Sequence, residues 1–338
     1  MAQKNIYKIR YFFSRTGFAV FCFFLFDCQI DSEFEYMSSR DLLVVNGLLS
    51  PDSIISISVT KAGTSPISRE QFEVVEQAEV ELFENGDFLG VAAYNSVLKR
   101  YILNYYPKPG ESYSIAVNVS NYPELNASTN IPKTANITGC YTLNTNSYCT
   151  GCRSIEANMY IEDLIQGSTL WFTCYSVHYK EVRNEDYTVS IDSTQTQRSS
   201  FAYLRSRSHL PDQFNAIRDR GEISYQVYMR LESNTYTPNS LELDISNRGE
   251  NYFYNYDEIQ RLDEGLGLYM VAMASSDEFD HYLKGIIINN FNDRELIDDF
   301  PNPFAERVEI YSNIENGLGI FAGYNPVVIP IHETECEY

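Results

Sequence analysis

Residues 78–86 read AEVELFENG, and this stretch decides the fold class. Apolar and acidic side chains alternate from Ala78 to Leu82, which is the two-residue period of a strand with one buried face. Asn85 and Gly86 then form the dipeptide that favours a tight hairpin turn. The stretch therefore predicts a strand that enters an antiparallel hairpin.

The sequence on both sides repeats this pattern. Strands are predicted at residues 42–49, 55–60, 101–105 and 113–117, with a turn at 108–110. Strands at this spacing predict a β-sandwich for residues 41–138. The order AEVELFENG, YIL, PKPGESYSIAV and IP is similar to transthyretin-like and carboxypeptidase-regulatory-like modules. That likeness implies an Ig/transthyretin-like sandwich. Such a module serves as a binding or spacer domain and has no catalytic chemistry of its own.

The remainder, residues 139–338, is predicted to be a larger β-sandwich domain that carries one helix. Proline and small polar residues at 132–139 mark the predicted boundary. Apolar side chains recur at helical spacing over residues 277–291 and form one stripe: Phe279, Tyr282, Leu283, Ile286 and Ile287. Ser275 and Glu278 have the spacing of a capping box. Further strands are predicted at 308–311 and 319–324, around a glycine-rich turn.

The N-terminus has the pattern of an export signal. Basic residues precede an apolar run at residues 17–26 that is too short to cross a bilayer. Leu25 to Cys28 resemble a bacterial lipobox, although Asp27 replaces the usual small residue before the cut. Residues 1–27 are therefore predicted to be a lipoprotein signal peptide, with Cys28 as the lipidation site. An uncut anchor and a plain secreted protein are the alternatives.

Residues 28–40 are predicted to be an acidic tether. Asp31, Glu33 and Glu35 follow Cys28 closely and resemble the surface-export signal of Bacteroidota lipoproteins. That likeness implies a lipid-anchored protein of the outer membrane, exposed at the cell surface. A solvated spacer would explain the same three residues.

The charge of the chain excludes one class of partner. The full chain carries −21. Removal of residues 1–27 lowers Lys+Arg from 25 to 21 and Asp+Glu from 46 to 45, which leaves −24. Such a charge argues against nucleic acid, whose phosphates need a basic surface, and against docking on anionic lipid through charge.

Four cysteines lie close together near the middle of the chain: Cys140, Cys149, Cys152 and Cys174. In an exported protein they are candidates for structural disulfides, whose pairing the sequence leaves open. Cys149 and Cys152 have C-x-x-C spacing, which also occurs in redox catalysis and in half of a zinc site. Both of these interpretations fit the sequence less well than structural disulfides do. No βαβ context surrounds the two cysteines, and no histidine lies near enough in the sequence to complete a metal site.

Catalytic motifs are missing from the sequence. No nucleophile elbow, zinc-protease motif or phosphate-binding loop appears, and the four histidines are scattered. We therefore expect no catalytic residues, no metal and no cofactor. Tyr252, Tyr254 and Tyr256 would share one strand face, either as a binding face for sugars or a protein partner, or as a wall of the sandwich. The wall is the preferred interpretation.

One family resemblance spans nearly all of the mature chain. Residues 311–324, YSNIENGLGIFAGY, are its most specific part, together with LLVVNGLL at 42–49 and AEVELFENG. They resemble the Bacteroidota outer-membrane lipoproteins of domain of unknown function 4249. Gly317 and Gly319 are interpreted as turn residues with conformations that other residues avoid.

The resemblance implies a partner but no catalytic residue. Such lipoproteins are typically encoded beside TonB-dependent transporters, which implies an accessory or cargo-capture subunit of a SusC-like barrel. The alternatives are a structural subunit of a larger outer-membrane assembly or secretion complex, and a surface glycan hydrolase. The hydrolase would need paired carboxylates that face a cleft.

Overall fold

The computed structural model describes residues 42–62, 72–145, 153–162, 168–183, 189–200, 202–206, 228–232, 240–247, 267–294 and 309–333. This part of the chain consists mainly of strands, with one helix, which confirms the predicted mainly β class. The described residues belong to one compact unit.

The strands are numbered along the chain. The first eight are β1 (Leu43–Leu49), β2 (Ile55–Lys61), β3 (Ala78–Glu84), β4 (Asp87–Val91), β5 (Ala93–Asn95), β6 (Arg100–Leu103), β7 (Ser112–Val119) and β8 (Leu125–Asn130). They are followed by β9 (Asn136–Thr145), β10 (Arg153–Glu162), β11 (Thr169–Arg183), β12 (Val189–Ser200), β13 (Ala202–Ser206), β14 (Met229–Glu232), β15 (Ser240–Asn247) and β16 (Gly267–Ser275). Helix α1 (Asp277–Arg294) and β17 (Leu318–Glu333) end the described chain.

The N-terminal strands form two facing layers. One layer has the order β17-β1-β2-β6-β5, and the other has the order β4-β3-β7-β8. Side chains that alternate inward from both layers, such as Val45, Ile57, Val80 and Val117, form one hydrophobic core. The predicted hairpin turn is also present, because Asn85 has φ 54° and the next glycine has φ 88°. The finer Ig/transthyretin-like assignment stays a prediction.

A second core lies among the later strands. Buried side chains of β9, β10, β11, β14, β16 and β17 contribute to it, among them Met159, Phe172 and Met270. β17 pairs in parallel with β1 and with β9 and antiparallel with β16, so it contributes strand pairing to both regions. The predicted boundary between residues 138 and 139 falls inside β9, and the division into two domains stays a prediction.

Helix α1 agrees with the predicted stripe, but two local predictions were wrong. Phe279 and Ile287 are buried against the strands. The cap is Ser276 rather than Ser275, because the Ser276 hydroxyl accepts the backbone N–H of Phe279 at 3.2 Å. Residues 309–311 do not form the predicted strand, because their backbone lies against α1 at Gly285 rather than beside another strand.

Candidate functional site

The glycines of the family-like segment 311–324 serve backbone packing. Gly319 has φ 114°, and a side chain there would collide with the backbone of Val45 on β1. Position 317 requires a glycine because a side chain there would collide with Leu125 and with the carbonyl oxygen of Leu43. The predicted unusual conformation is therefore confirmed for Gly319, whereas at position 317 the close approach of neighbouring atoms is the reason.

Two asparagines hold this segment in place. The Asn313 side chain donates to the carbonyl of Phe321 at 2.8 Å and accepts the N–H of the same residue at 2.9 Å. Asn316, with φ 59°, donates to the carbonyl of Glu124 at 2.9 Å. Both asparagine side chains are thus engaged with backbone groups, which supports a structural role for them.

The start of α1 is joined to β8 and β17 by a small polar cluster. Thr129 donates its hydroxyl proton to a carboxylate oxygen of Glu278 at 2.9 Å, and its oxygen lies 3.1 Å from the Ser276 hydroxyl. The N–H of Gly323 donates to the hydroxyl of Thr129 at 3.0 Å. The cluster fixes the helix N-terminus against strands that are far apart in sequence.

One carboxylate on α1 is buried, and sequence reasoning missed it. Asp280 lies between the helix and the sheet, where Arg230 of β14 binds both of its oxygens at 2.7 and 2.9 Å. Trp171 of β11 donates its indole N–H at 2.9 Å, and Lys284 lies 2.8 Å away one helical turn later. Burial alone would raise the pKa of Asp280, but the bonds from Arg230 and Lys284 outweigh it and lower the pKa.

This geometry decides what Asp280 can do chemically. Each oxygen is held by at least one cationic donor, and the lowered pKa keeps the group ionised at neutral pH. A general acid needs the opposite shift. The ion pair therefore fastens the helix to the sheet. Among the residues that the structure describes, no three His, Cys, Asp or Glu side chains are grouped as metal ligands.

An exposed sheet edge is the best candidate for a binding surface. β4 is the terminal strand of its four-stranded sheet, and its outer side has no partner strand within the described chain. Phe88 and Val91 on this strand are both exposed, and the Phe88 ring contacts Phe83 edge-on at 5.7 Å between centroids. We call β4 with these exposed side chains the β4 edge. Such an edge can accept a strand or an apolar surface from another chain.

Only some of the predicted site residues lie within the described residues. Cys28, the acidic residues 31, 33 and 35, the two cysteines at 149 and 152, and the tyrosines at 252, 254 and 256 lie outside the described residues. Cys140 is buried on β9, and its predicted pairing stays a prediction.

The prediction was wrong for Cys174, which carries a free thiol. Its side chain belongs to the second hydrophobic core, and this burial raises the pKa of the thiol. The position therefore suits a small apolar side chain better than a disulfide bond.

Comparisons with known proteins identify a family for this chain but no relative of known function. No curated protein matches this chain. One solved structure with some similarity is a protein of Corynebacterium diphtheriae named as membrane anchored, at 11% identity and a TM-score of 0.19. The match covers 70% of this chain and only 55% of that protein, and so low a score does not establish a shared fold. No helix within the described ranges is long and apolar enough to cross a membrane.

The family assignment rests on most of the chain. A family model described as Domain of unknown function (DUF4249) matches residues 27–328. That range begins next to Cys28 and includes β1, the hairpin at β3 and β4, and the 311–324 segment that carried the resemblance. The chain therefore belongs to the DUF4249 family.

Proposed function

We propose that this chain is a non-enzymatic lipoprotein of the outer membrane, exposed at the cell surface and anchored at Cys28. It acts as the accessory or cargo-capture subunit of a TonB-dependent, SusC-like barrel. Family membership and the lipobox-like sequence that ends at Cys28 support this proposal.

The observation that carries the proposal is the β4 edge. A chain with a net charge of −21 has ample polar surface, yet Phe88 and Val91 are exposed on an edge strand. Exposed apolar side chains on an open edge favour contact with another protein chain. We place the contact with the barrel here.

The two carboxylates that bind Arg230 do not fit the catalytic pair of a glycan hydrolase. A glycan hydrolase uses two carboxyl groups that flank the sugar bond, one of them with a raised pKa. Asp280 and Glu232 both bind Arg230, at 2.7 and 3.1 Å, and the pKa of Asp280 is lowered. These two carboxylates are occupied by a structural pair and are poor candidates for that chemistry.

Co-purification tests the proposal. Tagged protein is isolated from outer membranes of its native host after mild detergent extraction, and the bound proteins are identified by mass spectrometry. We expect a TonB-dependent barrel in near-equal amount. Recovery of the protein alone would contradict the proposal.

A matched pair of variants tests the site of contact. Val91→Asp places a charge on the β4 edge, where the side chain is 47% exposed, and Val328→Asp places the same charge on β17, where it is 49% exposed. We expect Val91→Asp to lose the barrel and Val328→Asp to keep it. Equal recovery of the barrel by both variants would remove the β4 edge from the proposal.

The structural-subunit alternative differs in its phenotype. Deletion of a cargo-capture subunit impairs uptake of one nutrient, whereas deletion of an assembly or secretion subunit impairs the envelope in general. Growth on single nutrients, compared with sensitivity to detergent, separates the two roles.

A further inference from the structure

The hairpin of β5 and β6 carries an exposed apolar tip. Val97 is 88% exposed, Leu98 is also exposed, and both precede Lys99, whose φ is 52°. The side-chain oxygen of Asn95 accepts the N–H groups of residues 97 and 98, each at 3.0 Å. The tip is thus held in one shape by local bonds while its two aliphatic side chains face solvent. We call residues 95–99 the hairpin tip.

The register of the strands locates the tip at one end of the sheet. Tyr101 pairs with Ile57, so the hairpin extends from there towards the end of β2 at Lys61. Lys61 in turn pairs with Leu43, the first residue of β1. The hairpin tip and the start of β1 therefore lie at the same end.

A third exposed apolar side chain belongs to this end. Val74 forms a bridge with Thr60, and the N–H of Lys61 donates to the carbonyl of Glu73 at 2.9 Å. Phe72, which immediately precedes this pairing, is exposed. We call Phe72 and the hairpin tip together the tether-side surface, because the chain that comes from Cys28 enters the fold here.

The length of that chain favours a particular occupant. Cys28 is separated from the first described residue, Leu42, by a segment that ends at Asp41, 14 residues when Cys28 is included. Even when fully extended, 14 residues reach at most about 50 Å, so the end of the sheet where this chain enters is the part held nearest to the anchor. Apolar side chains at that end are therefore kept within reach of the bilayer surface.

We propose that the tether-side surface rests in the interface of the bilayer that holds the lipid anchor, with Val97 and Leu98 inserted. This inference depends on the anchoring part of the proposed function. The contact is apolar and does not depend on anionic lipid, which agrees with the strongly negative charge of the chain. It orients the protein, because the opposite end of the sheet then faces away from the membrane.

Tryptophan fluorescence tests the contact. The chain has a single Trp, at position 171, which is fully buried and gives a constant background. The full chain, processed and lipidated in its native host, is reconstituted into phosphatidylcholine vesicles with brominated acyl chains. Val97→Trp reports on the tip, and Ser53→Trp reports on the exposed turn between β1 and β2 at the opposite end.

We expect brominated lipid to reduce the added emission of Val97→Trp by roughly half, because interfacial side chains lie about 5–10 Å into the boundary of the acyl chains. Ser53→Trp should respond like the unchanged protein. Equal quenching of both variants in vesicle-bound protein would overturn the contact. Failure of the lipidated protein to float with vesicles would overturn the anchor itself, and the contact with it.

Discussion

Asp280 on helix α1 and Arg230 on strand β14 form a two-point ion pair in the protein interior, with N–O distances of 2.7 and 2.9 Å. Both side chains are almost completely buried. The ion pair lies between the helix and the strands beneath it. Trp171 of β11 donates a further hydrogen bond to Asp280. Together with the polar cluster around Ser276, the ion pair positions the helix on the strands.

Removal of one partner should destabilise the fold strongly. Asp280→Ala removes the carboxylate that binds Arg230 at two points and leaves this buried charge poorly compensated, which should lower the free energy of unfolding by about 3–5 kcal/mol. Urea denaturation of the purified chain measures this change. Arg230→Met added to Asp280→Ala should recover part of the loss, because the buried guanidinium charge is then removed as well.

The exposed pair of Lys61 and Glu73 provides the control for this experiment. Glu73→Ala removes a charge pair of the same type from the surface, where solvent screens it, and should change the stability very little. A loss for Asp280→Ala as small as that of Glu73→Ala would contradict the role given to the ion pair.

The same pair predicts how stability depends on pH. The pKa of Asp280 is lowered in the folded state, so below its ordinary value near 3.8 the unfolded chain binds more protons than the folded one. The stabilisation is present at neutral pH and is lost as the pH falls through the lower folded-state pKa. Unfolding free energies measured in acid should therefore fall more steeply for the unchanged protein than for Asp280→Asn. Parallel curves would refute this prediction.

Gly319 should tolerate substitution less well than Gly86, although both have positive φ. At Gly86 an added methyl group meets open space, so Gly86→Ala should cost only about 1–2 kcal/mol for the backbone conformation. At Gly319 the methyl group would also strike Val45, which should add roughly 1–3 kcal/mol. Denaturation of the two alanine variants compares them directly. Equal losses would mean that the close approach of β17 to β1 is not required.

The sequence could predict much of the N-terminal sandwich, because its strands have one buried face. In β2 and β3 apolar and polar side chains alternate regularly, and Asn85 with Gly86 identifies the turn. β9 was missed as a continuous strand, because its residues show no such alternation and the prolines before it suggested a linker.

The buried ion pair could not be predicted from local sequence. Arg230 lies 50 positions before Asp280, and Trp171 lies 109 positions before it. In the helix pattern Asp280 resembles any solvated acid in a first turn that also contains Asp277 and Glu278. Only the pairing of β11 with β14 and with β16 brings the partners under the helix.

The exposed apolar residues also required the structure. Val97 and Leu98 form a short apolar pair that the sequence does not distinguish from a buried one. Their exposure follows from the Asn95 turn and from the position of β5 as the last strand of its sheet.

Anchoring at Cys28 supports both the proposed function and the membrane contact, and one measurement tests it most directly. Cells that express the full chain, or its Cys28→Ala variant, are grown with a radioactive fatty acid, and the protein is immunoprecipitated and its label counted. We predict strong labelling of the unchanged protein and none of the variant, which should also remain unprocessed. Equal labelling of both proteins would contradict the account.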